Sequence, residues 1–531
     1  MLKALASLFL LLGSCVTHPG RPKQDAATFA DLERYVNDVM KCRDVKGLSL
    51  TLVKKDGSVY TKGFGLRDIT TNAPLTETTL LNIGSESKAF TATLAADAVA
   101  RKLVTWDEPL KNIFPAGFRL QDQFRSERAS LRDLLSHRLG MPSYWGLSTA
   151  VMNLTLVDIA ERLKDFPVRY EFRQRFLYSN YLFVVAGAAL ENATGETWED
   201  GVYNRIYKPL NMTGSRVSTT LTAADWSNTA YSYTVINSTA VQNPEKALMP
   251  IVREINPAAG VYTNAVDMTK WMKFHISGGK DSAGRQVITK SVLKETHDAS
   301  MTMGLGGIHR DTFPVDNLSF DYGLGWMKGI YNGYVKTFHT GEYSSYSATL
   351  TFLPDVGVGV WVGITGSRNG EGETVRDVIT MYALDVLLGE TPWLNSTTGC
   401  TYPAPWDPPK QPRPRRNAYE DATATDDPAD ISEYVGDYIH PAFGTFRVFQ
   451  DGGQLKYSFG VLLRGDLNLK SGDQFYQTLD FPLTFRIVGY PEYPKGFPLS
   501  FSRDDQGTVS SIRIPYLEFN KPPVFSRSSS Q

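Results

Sequence analysis

The chain has 531 residues, 42% of them hydrophobic, enough for two to four domains with real cores at roughly 100–200 residues per domain. Aromatics at 12% exclude disorder over the whole chain. Its 55 basic and 56 acidic residues leave a net charge of −1, without the basic excess of a general nucleic-acid binder. Three cysteines are too few for a disulfide scaffold, and their spacing fits no zinc motif.

Residues 1–19 read as a secretory signal peptide. Lys3 supplies the charge, Ala4 to Leu12 the apolar run, and Gly13-Ser14-Cys15 the small residues after it. His18-Pro19-Gly20-Arg21-Pro22 ends the pattern at once, which weighs against an ordinary buried helix. Leu12-Gly13-Ser14-Cys15 also looks like a bacterial lipoprotein box with Cys15 as the lipidated residue. No later apolar run reaches the roughly 18 residues a spanning helix needs, so no membrane span is expected. Six Asn-x-Ser/Thr sequons, at Asn153, Asn192, Asn211, Asn237, Asn317 and Asn395, argue for a eukaryotic secretory route and an extracellular glycoprotein. With Cys15 removed, Cys42 and Cys400 remain; outside the cell they could pair and tie the ends of the main domain together, or stay two unrelated thiols.

Leu48–Asp68 alternates apolar and polar residues around Lys55-Asp56-Gly57, a hairpin signal. A second hairpin spans Ala348–Leu353 and Val358–Ile364. Between them the pattern is mostly helical: Phe90, Leu94 and Ala98 share a face, and Tyr181–Asn192 is apolar all round. Strands at both ends predict one antiparallel sheet assembled from distant segments, flanked by helices, with an all-helical subdomain: an α+β domain over residues 30–398. A Pro-rich linker follows over 399–430, with six prolines between 403 and 414. Arg413-Pro414-Arg415-Arg416 in it is a solvated stretch or a basic cleavage site. Residues 431–531 read as a small all-β barrel or sandwich, with strands at Gly444–Phe449, Gln454–Phe459, Leu483–Val488, Leu499–Arg503 and Ser510–Ile514.

Ser85-Glu86-Ser87-Lys88 is an S-x-x-K tetrad opening a long alanine-rich helix. A serine hydroxyl is a poor nucleophile until something takes its proton, and a lysine three residues on faces the same way. The same spacing at Ser277 falls in a glycine loop, and at Ser291 it reads as a helix cap. Tyr178-Ser179-Asn180 directly precedes the buried helix. A tyrosine beside a lysine ammonium has a lowered pKa and can act as a base. The Asn180 amide can bond a substrate carbonyl or the lysine. His339-Thr340-Gly341 closes a strand Tyr334–Phe338, and glycine there lets a substrate approach the strand edge.

This ordered triple resembles the β-lactamase-related serine hydrolases: class C β-lactamases, penicillin-binding proteins, D-aminopeptidases and related esterases. The resemblance covers roughly residues 30–395. Leu134 to Pro142 looks like the family's "LLSHTSGLP" loop, Ala258 to Met268 is similar to its "GGLYSTADDL" segment, and Tyr322-Gly323-Leu324-Gly325-Trp326 matches "YGLGW". The tail resembles the lipocalin-like β-domain of some members, with Tyr434-Val435-Gly436-Asp437-Tyr438 as its opening strand. The resemblance implies Ser85 as acyl-forming nucleophile and Lys88 and Tyr178 sharing the proton work. It further implies Asn180 as substrate orienter and the backbone N–H groups of Ser85 and Glu342, the residue after Gly341, as the oxyanion hole.

Three departures stand out. His339 replaces the lysine of class C β-lactamases and, being mostly neutral near pH 7, shifts expectation from β-lactams towards ester, amide or peptide substrates. Arg138-Leu139-Gly140 stands where the family has Thr-Ser-Gly. Glu342 replaces a small residue, and its carboxylate either disfavours anionic substrates or points to solvent. The sequence thus implies a secreted, cofactor-independent serine hydrolase of a small substrate. The non-catalytic alternative is an extracellular matrix or binding protein on the same scaffold. A Ser-His-Asp α/β-hydrolase lacks support, having neither the G-x-S-x-G elbow nor βαβ alternation.

Overall fold

The computed structural model describes residues 28–115, 117–144, 152–236, 239–249, 253–367, 371–407, 430–480, 483, 496–518 and 521–528. The signal segment with Cys15, the sequon Asn237, most of the Pro-rich stretch with Arg413 to Arg416, and most of the strand expected at Leu483–Val488 lie outside them.

A nine-stranded antiparallel sheet organises the first domain. The two hairpins read from the sequence sit side by side at its centre: Gly47–Val53 pairs with Val59–Asp68 on one side and with Val358–Ile364 on the other. Strands 346–353, 334–343, 327–331, 317–322 and 301–308 extend it to the far edge. Both central strands are buried on both faces because helices cover each side. On one side lie Phe29–Cys42 and Gly372–Leu388, packing Leu32, Val36, Val378 and Ile379 onto Leu48, Leu50 and Val362. On the other lie Ser87–Ala100, Asn180–Thr194 and Ala265–Ile276, whose Phe90, Leu182 and Trp271 are fully buried.

Phe29–Cys42 starts on a Thr28–Asp31 capping box and ends at a disulfide from Cys42 to Cys400, which closes a separation of 358 residues. The first domain therefore runs past the expected boundary at 399: Ser396–Thr401 is helical, and Trp406 packs on Phe313 and Trp393. The Tyr334 strand also runs on, to Tyr343, so His339-Thr340-Gly341 lies inside it; and the helix expected at Ser291 starts at Lys290 with Thr289 as its cap residue.

The tail is a closed eight-stranded barrel, Gly436–His440 through Val524–Arg527, with the last strand pairing back to the first. Its interior is filled by aromatic and aliphatic side chains, among them Tyr438, Phe446, Phe459, Phe475, Phe497 and Phe525. Closure removes the edges that short alternating strands would otherwise leave unpaired. The barrel docks on the loop leading to the Tyr178 segment. Phe443 packs on Tyr144 and Phe166, and Glu518 accepts hydrogen bonds from the Ser143 hydroxyl (3.1 Å) and the Tyr144 N–H (3.0 Å).

Candidate active site

Ser85 sits in a 3₁₀ turn, Gly84–Glu86, immediately before the Ser87–Ala100 helix, rather than in the helix itself. The turn is locked from several directions. Asn82, buried, accepts from the Gly84 N–H (2.7 Å) and donates to the Ala259 carbonyl (3.1 Å). The Ser87 hydroxyl accepts from the Val261 N–H, and Trp361 donates its indole N–H to Glu86. Gly84 holds φ +51°, where a side chain is disfavoured. From Leu80 to Ala96, Ser85 is the single residue not fully buried, so the turn presents one hydroxyl from an otherwise closed segment.

Lys88 is fully buried. Its Nζ lies 3.0 Å from Ser85 Oγ, 2.7 Å from Asn180 Oδ1 and 3.1 Å from the Ala258 carbonyl. Burial holds this amine well below the usual lysine range. Tyr178 shares a hydrogen bond with Ser85. The lowered tyrosine pKa expected from the sequence is reversed: burial raises it. The Lys88 ammonium position lies over the face of the ring, 4.7 Å from its centroid, rather than beside the phenol oxygen.

The strand carrying Gly341 passes directly against the Ser85 turn. A Cβ at Gly341 would stand 1.8 Å from the Ile83 carbonyl and 3.0 Å from the Ser85 nitrogen; one at Gly84 would stand 2.5 Å from the Glu342 nitrogen. Both glycines are required by this approach, which brings the Ser85 and Glu342 amides into one neighbourhood. The Glu342 carboxylate turns away from it, half-exposed and paired with Arg376 at 3.1 Å.

His339 is buried with both ring nitrogens engaged: Nδ1 with the Thr340 carbonyl (2.6 Å), Nε2 with the Tyr322 hydroxyl (2.9 Å). Since a carbonyl can only accept, Nδ1 carries the proton and Tyr322 donates to Nε2. Burial, reinforced by the nearby Lys88, lowers the imidazole pKa to about 3. A neutral, doubly bonded His339 fixes the strand and Tyr322 rather than presenting a cation to the cleft.

Two contributors escaped sequence reasoning. His137, buried at φ +56°, accepts from the Ser179 N–H through Nδ1 (3.1 Å), and its carbonyl accepts from the Leu177 N–H (2.9 Å). Its ring lies 4.4 Å from that of Tyr178. It therefore sets the backbone that carries Tyr178 and Asn180; the signal was its place in the Leu134–Pro142 stretch. The other is the Ala258 carbonyl, which no side-chain motif can announce. The departure at Arg138 is structural: its guanidinium, with that of Arg173, bonds buried Asp133. Gly323 and Gly325 let the Tyr322–Trp326 segment press close, a Cβ at Gly325 falling 2.8 Å from the Lys88 carbonyl.

Asn153, Asn192, Asn211 and Asn395 are exposed. Asn317 is not available for a glycan: it is half-buried, Nδ2 meets Met381 Sδ at 3.4 Å, and Oδ1 accepts from Lys336. Among the described residues, no group of three or more His, Cys, Asp or Glu is placed to hold a metal ion, and no helix is long and apolar enough to cross a membrane.

Comparison with known proteins agrees with this architecture. The β-lactamase family model matches residues 32–383, and a domain of unknown function, DUF3471, matches residues 420–525. The chain belongs to the β-lactamase family, a family of serine hydrolases. It is similar to the unguisins hydrolase ungD of Aspergillus violaceofuscus, 25% identical over 343 residues covering 62% of this chain and 60% of that protein. A second such hydrolase, from Aspergillus campestris, is 24% identical over 453 residues, 79% of this chain and 78% of that one. The chain thus spans about three-fifths of the length of the first of these relatives. The octameric penicillin-binding protein homologue from Pyrococcus abyssi shares the fold, with a TM-score of 0.59 at 19% identity, covering 94% of this chain and all of that one.

Proposed function

We propose that the protein hydrolyses an ester, amide or peptide through an acyl-enzyme on Ser85. The observation that carries this reading is the hydrogen-bond arithmetic at Lys88. A neutral amine has two hydrogens and one lone pair. The Asn180 and Ala258 carbonyl oxygens can only accept, so they take both hydrogens, and the lone pair is left facing the Ser85 hydroxyl. Burial without a paired carboxylate favours that neutral form. Lys88 then takes the Ser85 proton as Oγ attacks the carbonyl carbon, and the Ser85 and Glu342 amides receive the developing oxyanion. Tyr178, kept protonated by burial, donates its phenolic proton to the leaving group, and the Lys88 proton returns to it through the incoming water, since the amine lies over its ring face. Water repeats the sequence to release the acid. Asn180 holds the amine in place and leaves its NH₂ for the substrate.

The neutral His339 favours ester, amide or peptide substrates over β-lactams, whose carboxylate asks for a cation. The names of the two Aspergillus relatives, as hydrolases of unguisins, support a hydrolytic role. The Cys42–Cys400 bridge and four exposed sequons support secretion. A fluorophosphonate probe should label the protein on Ser85, and Ser85→Ala should abolish labelling. Turnover of p-nitrophenyl esters and D-amino-acid amides should exceed that of a chromogenic β-lactam. Undiminished labelling of Ser85→Ala would remove the assignment.

A further inference from the structure

A second concavity lies on the opposite face of the strand that carries His339 and Gly341. It is a cavity of about 150 Å³ between the outer strands of the sheet and the Gly372–Leu388 helix. At about 30 Å³ per water it has room for roughly five waters, or one small organic molecule. Its lining is unusual for a gap between a sheet and a helix. Lys336 lies in its wall, 7% exposed, donating to Asn317 and lying over the Phe338 ring at 4.3 Å. Asp377, on the helix, faces Lys336 across the space; its half-exposed carboxylate also pairs with the Arg376 guanidinium, Oδ1 lying 3.5 Å from Nε. Thr380, one turn further along the helix, also lines it. Its hydroxyl is buried and has no hydrogen-bond partner in the protein. Ser319 and Thr340 add further hydroxyls.

A buried hydroxyl without a partner costs free energy unless something supplies the missing bond, and a buried ammonium is stable only with acceptors about it. Cation inside, carboxylate at the mouth and an orphan hydroxyl in the lining match one kind of ligand. We infer that this cavity binds a small zwitterionic α-amino acid, its carboxylate on Lys336, its ammonium on Asp377 and its remaining polar atoms on Thr380. The carboxylate enters first because Lys336 lies deeper. A purely anionic ligand would leave Asp377 facing like charge, and a purely cationic one would face Lys336, so both poles are needed. Binding here is separate from the nucleophile, since alternate residues of a strand point to opposite faces: Lys336 and Thr340 to this cavity, His339 and Gly341 to the Ser85 side.

The test is calorimetric titration of the full disulfide-bonded chain with L-serine, acetate and ethanolamine. L-serine should bind, and acetate and ethanolamine should each bind at least about tenfold more weakly. Asp377→Asn, which keeps the side-chain size at a half-exposed position, should weaken L-serine at least about tenfold, and Lys336→Gln at least as much. Thr380→Val, isosteric and without the orphan hydroxyl, should weaken it less. Ser85→Ala should bind L-serine as the native chain does. Acetate binding as tightly as L-serine would make this an anion site and overturn the inference. So would absence of L-serine heat, undiminished affinity in Asp377→Asn, or loss of binding in Ser85→Ala.

Discussion

The two faces of the Tyr334–Tyr343 strand each bury a lysine, and the surroundings of the two differ in kind. Lys88 is ringed by neutral acceptors, a hydroxyl, a side-chain amide and a backbone carbonyl, with no carboxylate bonded to it. Lys336, on the other face, has an amide beside it and Asp377 opposite. Burial lowers both, but Lys336 only to about 8, with Asp377 resisting the shift, whereas nothing of opposite charge offsets it at Lys88. The lesson is that burial alone makes a lysine uncomfortable. Withholding a counter-charge while supplying two carbonyls to occupy its hydrogens is what suits Lys88 to the base role proposed for it.

The largest effect should be at the nucleophile: Ser85→Ala leaves no turnover of any ester, measured against the native chain. Lys88→Met should lower kcat by about 10³, within the range for removal of a general base. A Lys88→Met enzyme within about tenfold of native would place the base elsewhere and dissolve the contrast between the lysines. In the mechanism proposed, Lys88 works as the free amine, so the pH profile of kcat/KM should fall only on the acid side, as the amine gains its proton. A rise persisting to pH values near the ordinary lysine range of about 10.4 would show that the counter-charge argument is mistaken.

Glu342 sharpens the comparison because its amide belongs to one face and its carboxylate to the other. Glu342→Gln keeps the amide and should cost less than about tenfold in kcat/KM. Gly341→Ala, whose Cβ would strike the Ile83 carbonyl, should cost at least about a hundredfold, the scale of a lost oxyanion donor. Equal losses would mean the carboxylate also reaches the substrate.

Two smaller effects concern stability. Cys42→Ser should cost about 2–5 kcal/mol, read from denaturant midpoints of the first-domain transition, since it opens a very long loop. His297 and His339 are both lowered to about 3 by burial, against about 6.5 when unfolded. Between those values the unfolded chain binds more protons, so unfolding free energy falls as pH falls. The slope is up to about 1.4 kcal/mol per pH unit for each histidine. His297→Asn should flatten that slope between pH 6 and 4; an unchanged slope would show that this imidazole titrates normally.

What could be read from the sequence follows a simple division. The hairpins at Leu48–Asp68 and Ala348–Ile364, the buried helix after Tyr178 and the strands of the tail are local patterns, since side-chain periodicity reports which faces meet water. Ser85, Lys88 and Asn180 could be singled out as candidates because their residue types and order resemble a family that uses them together. The barrel's closure was not legible, because alternation is the same in a sandwich and a barrel. Nor was the Tyr178 shift: its sign depends on where the phenol lies relative to the ammonium and on how deeply it is buried. Spacing could not show that Asn317 faces inward, that Arg138 serves Asp133, or that a backbone carbonyl at Ala258 completes the lysine's shell. Residue identity determined which chemistry was available, and the packing of segments hundreds of residues apart decided which atoms are dry, which are paired, and so which proton can move.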